Sequence, residues 1–218
     1  MDRWFLQGWR FRPSTHPPHG MGRLGAFVDG IYAIAATLLV LELRLPEEVP
    51  AGELGRALAE LGPEYAAYAI GFLQMVGGWL QSRRLDSWIR GVDHYATLLI
   101  LGANGIFSLT PFSTQVLSRA FGDVADLGTA VRLNAALAFV ASALYAGLLI
   151  YARRTRMFRP DLDPDVFTLY FRLGTMLWLV PPLAWLLSYG SPQAALGLLV
   201  ALYLLTLLPN EAHPRITS

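Results

Sequence analysis

Six apolar stretches organise this chain, and not one of them contains an arginine. They run from about Leu24 to Leu43, Tyr65 to Gln81, Tyr95 to Leu117, Leu133 to Ala152, Leu173 to Tyr189 and Ala194 to Leu208. A helix that crosses a bilayer needs roughly 20 mostly apolar residues, and each stretch approaches that length. In lipid the backbone must satisfy its own hydrogen bonds, so consecutive apolar spans read as helices. Composition agrees. Charged residues make up 15% and hydrophobic ones 54%, whereas soluble domains are roughly 25% charged. Such a chain cannot cover a globule with polar side chains. The fifth and sixth stretches are separated by Gly190, Ser191 and Pro192, a tight turn between antiparallel helices.

The basic residues give an orientation. All 17 are arginine. With six spans, 13 of the 17 fall on one side, in the arm before Leu24, the second-to-third and fourth-to-fifth connections, and the tail. The other side holds Arg44, Arg56, Arg119 and Arg132 among acids such as Glu47, Glu48, Asp123 and Asp126. The positive-inside bias predicts an all-α, polytopic protein with six transmembrane helices and both termini cytoplasmic. Residues 1–22 read as a cytoplasmic arm, 23–209 as the transmembrane domain and 210–218 as a tail. No cleavable leader is expected, because the first apolar run comes late and no small-residue cleavage site follows it. Leu54, Leu58 and Leu61 recur at helical spacing among acids and predict a short amphipathic surface helix. Residues 10–20, rich in proline and histidine, read as a flexible arm.

Catalytic chemistry finds little to stand on. Cysteine and lysine are absent, which removes thiol nucleophiles, Schiff bases and a phosphate-binding Walker lysine. His16, His19, His94 and His213 all lie outside the deep parts of the spans. No metalloprotease or nucleophile-elbow motif is present. Ser108 and Ser142, inside spans, have no histidine partner one turn away. The expectation is a protein that is not an enzyme, without cofactor or bound metal. A formal net charge of +1 gives no reason to expect nucleic acid as a partner.

The first span carries the most information. Arg23 and Asp29 mark one end, Thr37 its middle and Glu42 the other end. At 100° per residue Arg23 and Asp29 sit about 240° apart, too far round for the usual i,i+4 pair. Ile31, Ile34, Leu38 and Leu41 fall within about 80° of one another, while Ala33 and Ala36 lie elsewhere. The helix is apolar all round, so periodicity alone leaves lipid contact, ordinary packing and pore lining open. Thr37 has an ordinary alternative in a bond to the carbonyl of Ala33. Pro111 and the Pro181–Pro182 pair predict kinks in the third and fifth spans.

These residues also carry a resemblance. Arg23, Phe27, Asp29 and Gly30, followed by Ala33-Ile34, Thr37-Leu38-Leu39-Val40-Leu41-Glu42-Leu43, resemble the first helix of the endosomal/lysosomal-type potassium channels, the transmembrane protein 175 family. Tyr68 to Phe72 with Trp79 resembles its second helix, and Asn104 with Leu109 to Thr114 its third. The resemblance implies a six-helix homotetramer around a central pore in a prokaryotic cell membrane. It implies permeation by potassium and other monovalent cations. Ile34, Leu38 and Leu41 would form an aliphatic constriction, with Thr37 beside it and Glu42 at the outer mouth. Arg23, Phe27, Asp29, Trp79 and Asn104 would belong to a polar and packing network around that helix. Val28 and the Ser82–Arg83 pair depart from the family pattern, and Arg83 or Arg84 is expected to reach Asp29 instead. The Thr-Val-Gly-Tyr-Gly filter of ordinary potassium channels is absent. A secondary transporter or proton leak pathway is the alternative. The lack of charge at midplane and of an internal repeat counts against a transporter. A non-conducting membrane scaffold stays open.

Overall fold

A computed structural model describes residues 21–160 and 178–207, together with Leu162 and Thr168. The arm, the tail and most of the fourth-to-fifth connection lie outside the described residues. Eight helices are described: α1 Gly22–Val40, α2 Leu54–Glu60, α3 Gly62–Trp88, α4 His94–Phe107, α5 Thr110–Ala120, α6 Val124–Arg154, α7 Val180–Leu187 and α8 Pro192–Thr206. Among the described residues there is no strand, only an isolated antiparallel bridge between Ile89 and Phe158.

Three helical segments are long and apolar enough to cross a membrane: α1, α4 with α5, and α6. The shorter α8 is also apolar. α3 runs 27 residues, but Gln74, Trp79, Gln81 and its glycines dilute its hydropathy. The third predicted span is two helices rather than one kinked helix. The chain turns at Ser108–Leu109, and Pro111 sits in the first turn of α5. There its missing N–H costs nothing, because the first-turn donors have no intrahelical acceptor. Pro181 and Pro182 likewise occupy the first turn of α7. The predicted surface helix is α2, but its leucines do not seal it to the bundle. Leu54 and Leu58 are exposed, and Ala57 and Leu61 are buried.

Side chains cap the helix starts. The Asp93 carboxylate accepts the Ala96 N–H at 2.9 Å and the Tyr151 hydroxyl at 2.6 Å, joining the start of α4 to the end of α6. Asp123 accepts the N–H groups of Ala125 and Asp126 at the start of α6. Ser191 caps α8, and Pro192 follows it, which makes the expected tight turn. At the far end of α6, the Arg90 N–H donates to the Met157 carbonyl and the Arg159 N–H to the Trp88 carbonyl. This staple holds Arg156 at φ 56°, and the Arg90 guanidinium donates to the Arg156 carbonyl at 2.7 Å.

Two buried clusters fill the bundle. One joins Val28, Tyr32, Ala35 and Leu39 of α1 to Met75, Ile100 and Leu148. The other joins Leu117, Val131, Ala184 and Leu199 of α5 to α8. Alanines such as Ala67, Ala96, Ala103, Ala130 and Ala195 are fully buried. Small residues let helix backbones approach closely, the main source of packing energy where lipid supplies no hydrophobic drive.

Candidate functional site

α1 has two distinct faces. Val28, Tyr32, Ala35 and Leu39 are buried against the bundle and fall within about 60° at 100° per residue. Phe27, Ile34, Leu38 and Leu41 stand on another face and are 60%, 63%, 43% and 56% exposed within the chain. A wholly apolar stripe of this length needs a non-aqueous cover or a partner. Thr37 is also exposed, and its hydroxyl donates to the Ile34 carbonyl at 2.8 Å, one residue on from the expected acceptor Ala33. With its proton committed, the oxygen faces outward as an acceptor.

At one end of α1 the anchoring differs from expectation. The Trp79 indole N–H donates to Asp29 at 2.8 Å. The Arg83 guanidinium lies 5.0 Å from the centroid of the same ring. Arg84 turns away and donates to the Thr206 carbonyl of α8 at 3.2 Å. No ion pair joins either arginine to Asp29 among the described residues; the Trp79 ring makes both the hydrogen bond to Asp29 and the contact with Arg83. Arg23 and Phe27 are exposed, and among the described residues no hydrogen bond or ion pair ties them to Asp29 or Trp79. At the other end, Arg44 Nε donates to the Leu41 carbonyl at 3.0 Å. This sets a positive charge beside Glu42, and cations are favourable at a helix C-terminus.

Asn104 is fully buried, away from that end. Its amide donates to the Ile100 carbonyl at 2.7 Å, and its oxygen accepts the Tyr145 hydroxyl at 3.1 Å. It therefore bridges α4 to α6. The Tyr32 hydroxyl is buried nearby without a hydrogen-bond partner among the described residues. Replacing Asn104 by leucine removes the acceptor that α4 offers the Tyr145 hydroxyl. A double-mutant cycle with Tyr145→Phe, read by thermal unfolding in detergent, should give a coupling of about 0.6–1.7 kcal/mol. Additive effects would mean that the two side chains do not act as a pair.

Close helix approach positions this site, and Tyr32, Tyr145 and the glycines were not singled out from sequence. A Cβ on Gly78 would lie 2.6 Å from the Phe107 ring and 2.9 Å from the Tyr32 hydroxyl. A Cβ on Gly71 would meet Thr114, and one on Gly77 would meet Thr206. The Gly77-Gly78 pair inside an apolar run was the available signal, since small residues mark helix interfaces in membranes.

A sequence profile described as endosomal/lysosomal potassium channel TMEM175 matches residues 23–111, from α1 to the start of α5. A potassium channel of Streptomyces collinus is 32% identical over 194 residues, covering 84% of this chain and 90% of that one. The chain belongs to the TMEM175 family. It is therefore an ion-channel protein and not an enzyme. A potassium channel of Chamaesiphon minutus is 28% identical over 212 residues, 88% of this chain and 95% of that one. A crystal structure of a lysosomal potassium-selective channel TMEM175 homolog from Chamaesiphon minutus superposes with a TM-score of 0.70 at 27% identity. It covers 85% of this chain and 95% of that chain. The human endosomal/lysosomal proton channel TMEM175 is 28% identical over 170 residues, 72% of this chain and 32% of the human protein.

Proposed function

We propose that four copies of this chain surround a central axis in the cell membrane, with α1 of each lining a potassium-permeable pore. The supporting observation is the exposed aliphatic stripe of α1, which no other described helix covers. Six membrane crossings with cytoplasmic termini agree with the arginine distribution. In this arrangement Ile34, Leu38 and Leu41 form stacked rings that narrow the pore. Branched aliphatic rings expel water from a narrow passage, so an ion crosses only when the rings part. A tilt or rotation of α1 about its Asp29–Trp79 anchor would do this. Selectivity then rests on pore width, dehydration cost and the outward oxygen of Thr37, without a carbonyl cage. Glu42 offers a ring of negative charge at the mouth, partly offset by Arg44. Potassium is the permeant ion, no cofactor is required, and the partners are other copies of the chain and the bilayer.

Proton passage along the same route is a second reading. It is favoured by vertebrate relatives named as proton channels, such as the bovine protein at 32% identity over 141 residues. Purified full-length chain in liposomes under a potassium gradient separates the possibilities. The expected result is passive, voltage-dependent flux that does not saturate, with a reversal potential displaced toward potassium. A reversal potential that follows only the proton gradient would favour the second reading. Flux that needs a counter-substrate would mean a transporter and would overturn both.

A further inference from the structure

Arg132 of α6 carries a half-buried charge without a counter-ion among the described residues. No carboxylate of a described residue lies within ion-pair distance; the ion pairs found among them belong to Arg56. Its position along the helix is informative. Residues Leu133–Ala152 form the apolar 20-residue run of α6, about 30 Å at 1.5 Å per residue, which matches the hydrocarbon thickness of a bilayer. Arg132 stands immediately beyond that run, at the depth where hydrocarbon gives way to headgroups.

Its surroundings are built. One guanidinium nitrogen donates to Thr129 Oγ1 at 3.0 Å and another to Ser188 Oγ at 3.5 Å. Both hydroxyls have already given their protons, Thr129 to the Ala125 carbonyl and Ser188 to the Trp185 carbonyl. They can only accept from the arginine. A guanidinium has five N–H donors, so about three are left without an acceptor among the described residues. The Tyr189 ring lies against the group, 4.8 Å from centroid to Cζ. Gly128 makes room: a Cβ there would meet the Arg132 guanidinium at 3.2 Å and the Ser188 carbonyl at 3.4 Å. Below the ring, Leu179, Leu183, Leu186 and Tyr189 follow at spacings of four and three along one face, and all are exposed. A planar cationic fork stands at the head of an apolar stripe.

We propose that Arg132, seated on Tyr189, is a phospholipid-binding site. The headgroup phosphate takes the remaining N–H groups in the two-pronged geometry that suits guanidinium and phosphate. One acyl chain lies along Leu186, Leu183 and Leu179. The site depends on α6 lying in a membrane and not on how ions pass α1.

Titration of the detergent-purified chain with phosphatidylglycerol, read by native mass spectrometry, tests this. One lipid per subunit should be retained, and Arg132→Gln should weaken it roughly tenfold. Arg132→Lys, which keeps the charge but not the fork, should also weaken it, and Tyr189→Leu should do so several-fold. These two variants decide the matter if the glutamine variant does not fold. Diacylglycerol, lacking phosphate, should bind wild type and variants alike. Equal phosphatidylglycerol affinity in wild type and the folded variants would overturn the proposal. So would displacement of the lipid by millimolar glycerol phosphate, which would mark a soluble-phosphate site. A smaller oligomer in Arg132→Gln with unchanged lipid per subunit would make this face a subunit contact and would also overturn it.

Discussion

Alanine at Leu38 or Ile34 is expected to raise potassium conductance by roughly tenfold, since about 1.4 kcal/mol off a barrier is tenfold in rate. In the proposed tetramer each substitution removes a branched tip from all four subunits at the level where the pore is narrowest. Two changes give direct comparison. Val40 is also exposed but lies about 130° round the helix from the stripe at 100° per residue, so Val40→Ala should leave conductance unchanged. Ile34→Asn separates a pore from a lipid face. In a pore the amide invites water past the ring and conductance rises. Against lipid it is an unpaired polar group, and stability falls instead. Single-channel recording together with thermal unfolding of each variant reads both quantities. Unchanged conductance in both alanine variants would end the assignment of this stripe to the pore, even for a protein that conducts.

Gly78→Ala should cost the fold about 1–3 kcal/mol by overpacking, even though alanine favours a helix over glycine by about 1 kcal/mol. The new methyl has no free space. It meets the Phe107 ring on one side and the Tyr32 hydroxyl on the other, so α1, α3 and α4 must separate together. Gly78→Leu should abolish a monodisperse protein. Trimming Phe107 to alanine in the Gly78→Ala background should recover part of the loss, because it empties the volume that the methyl needs. Gly105→Ala is the matched control, since nothing lies within 4 Å of a Cβ there. Thermal unfolding in detergent measures the set. Equal behaviour of the alanine variants at 78 and 105 would mean that the close approach at Gly78 does not hold α1 in place.

Much of this was legible in the chain. Arginine-free apolar runs located the helices, since lipid forces the backbone to pair within each segment. The spacing of Arg23 and Asp29 excluded a pair between them, and none forms. Asn104, an amide in the middle of an apolar run, announced a bridge between helices. Other features were out of reach. Pro111 signalled a break, but whether a proline kinks a helix or starts a new one depends on whether the preceding turn closes on itself, as Ser108–Leu109 does. The expected contact of Arg83 or Arg84 with Asp29 failed for a similar reason. Long side chains reach several partners, and Trp79 reached the carboxylate first.

The residues of α1 alone determined an apolar helix long enough to cross a membrane, because no charge interrupts it between Asp29 and its end at Val40. They could not say which side of it meets the bundle, since an all-apolar helix has no polar face to turn outward. Tertiary packing decided that. The glycines of α3 admit Tyr32 and Leu39, and their burial leaves Phe27, Ile34, Leu38 and Leu41 facing away. A missing side chain on one helix thus selects the face of another, a relation between distant residues that periodicity within either helix does not contain.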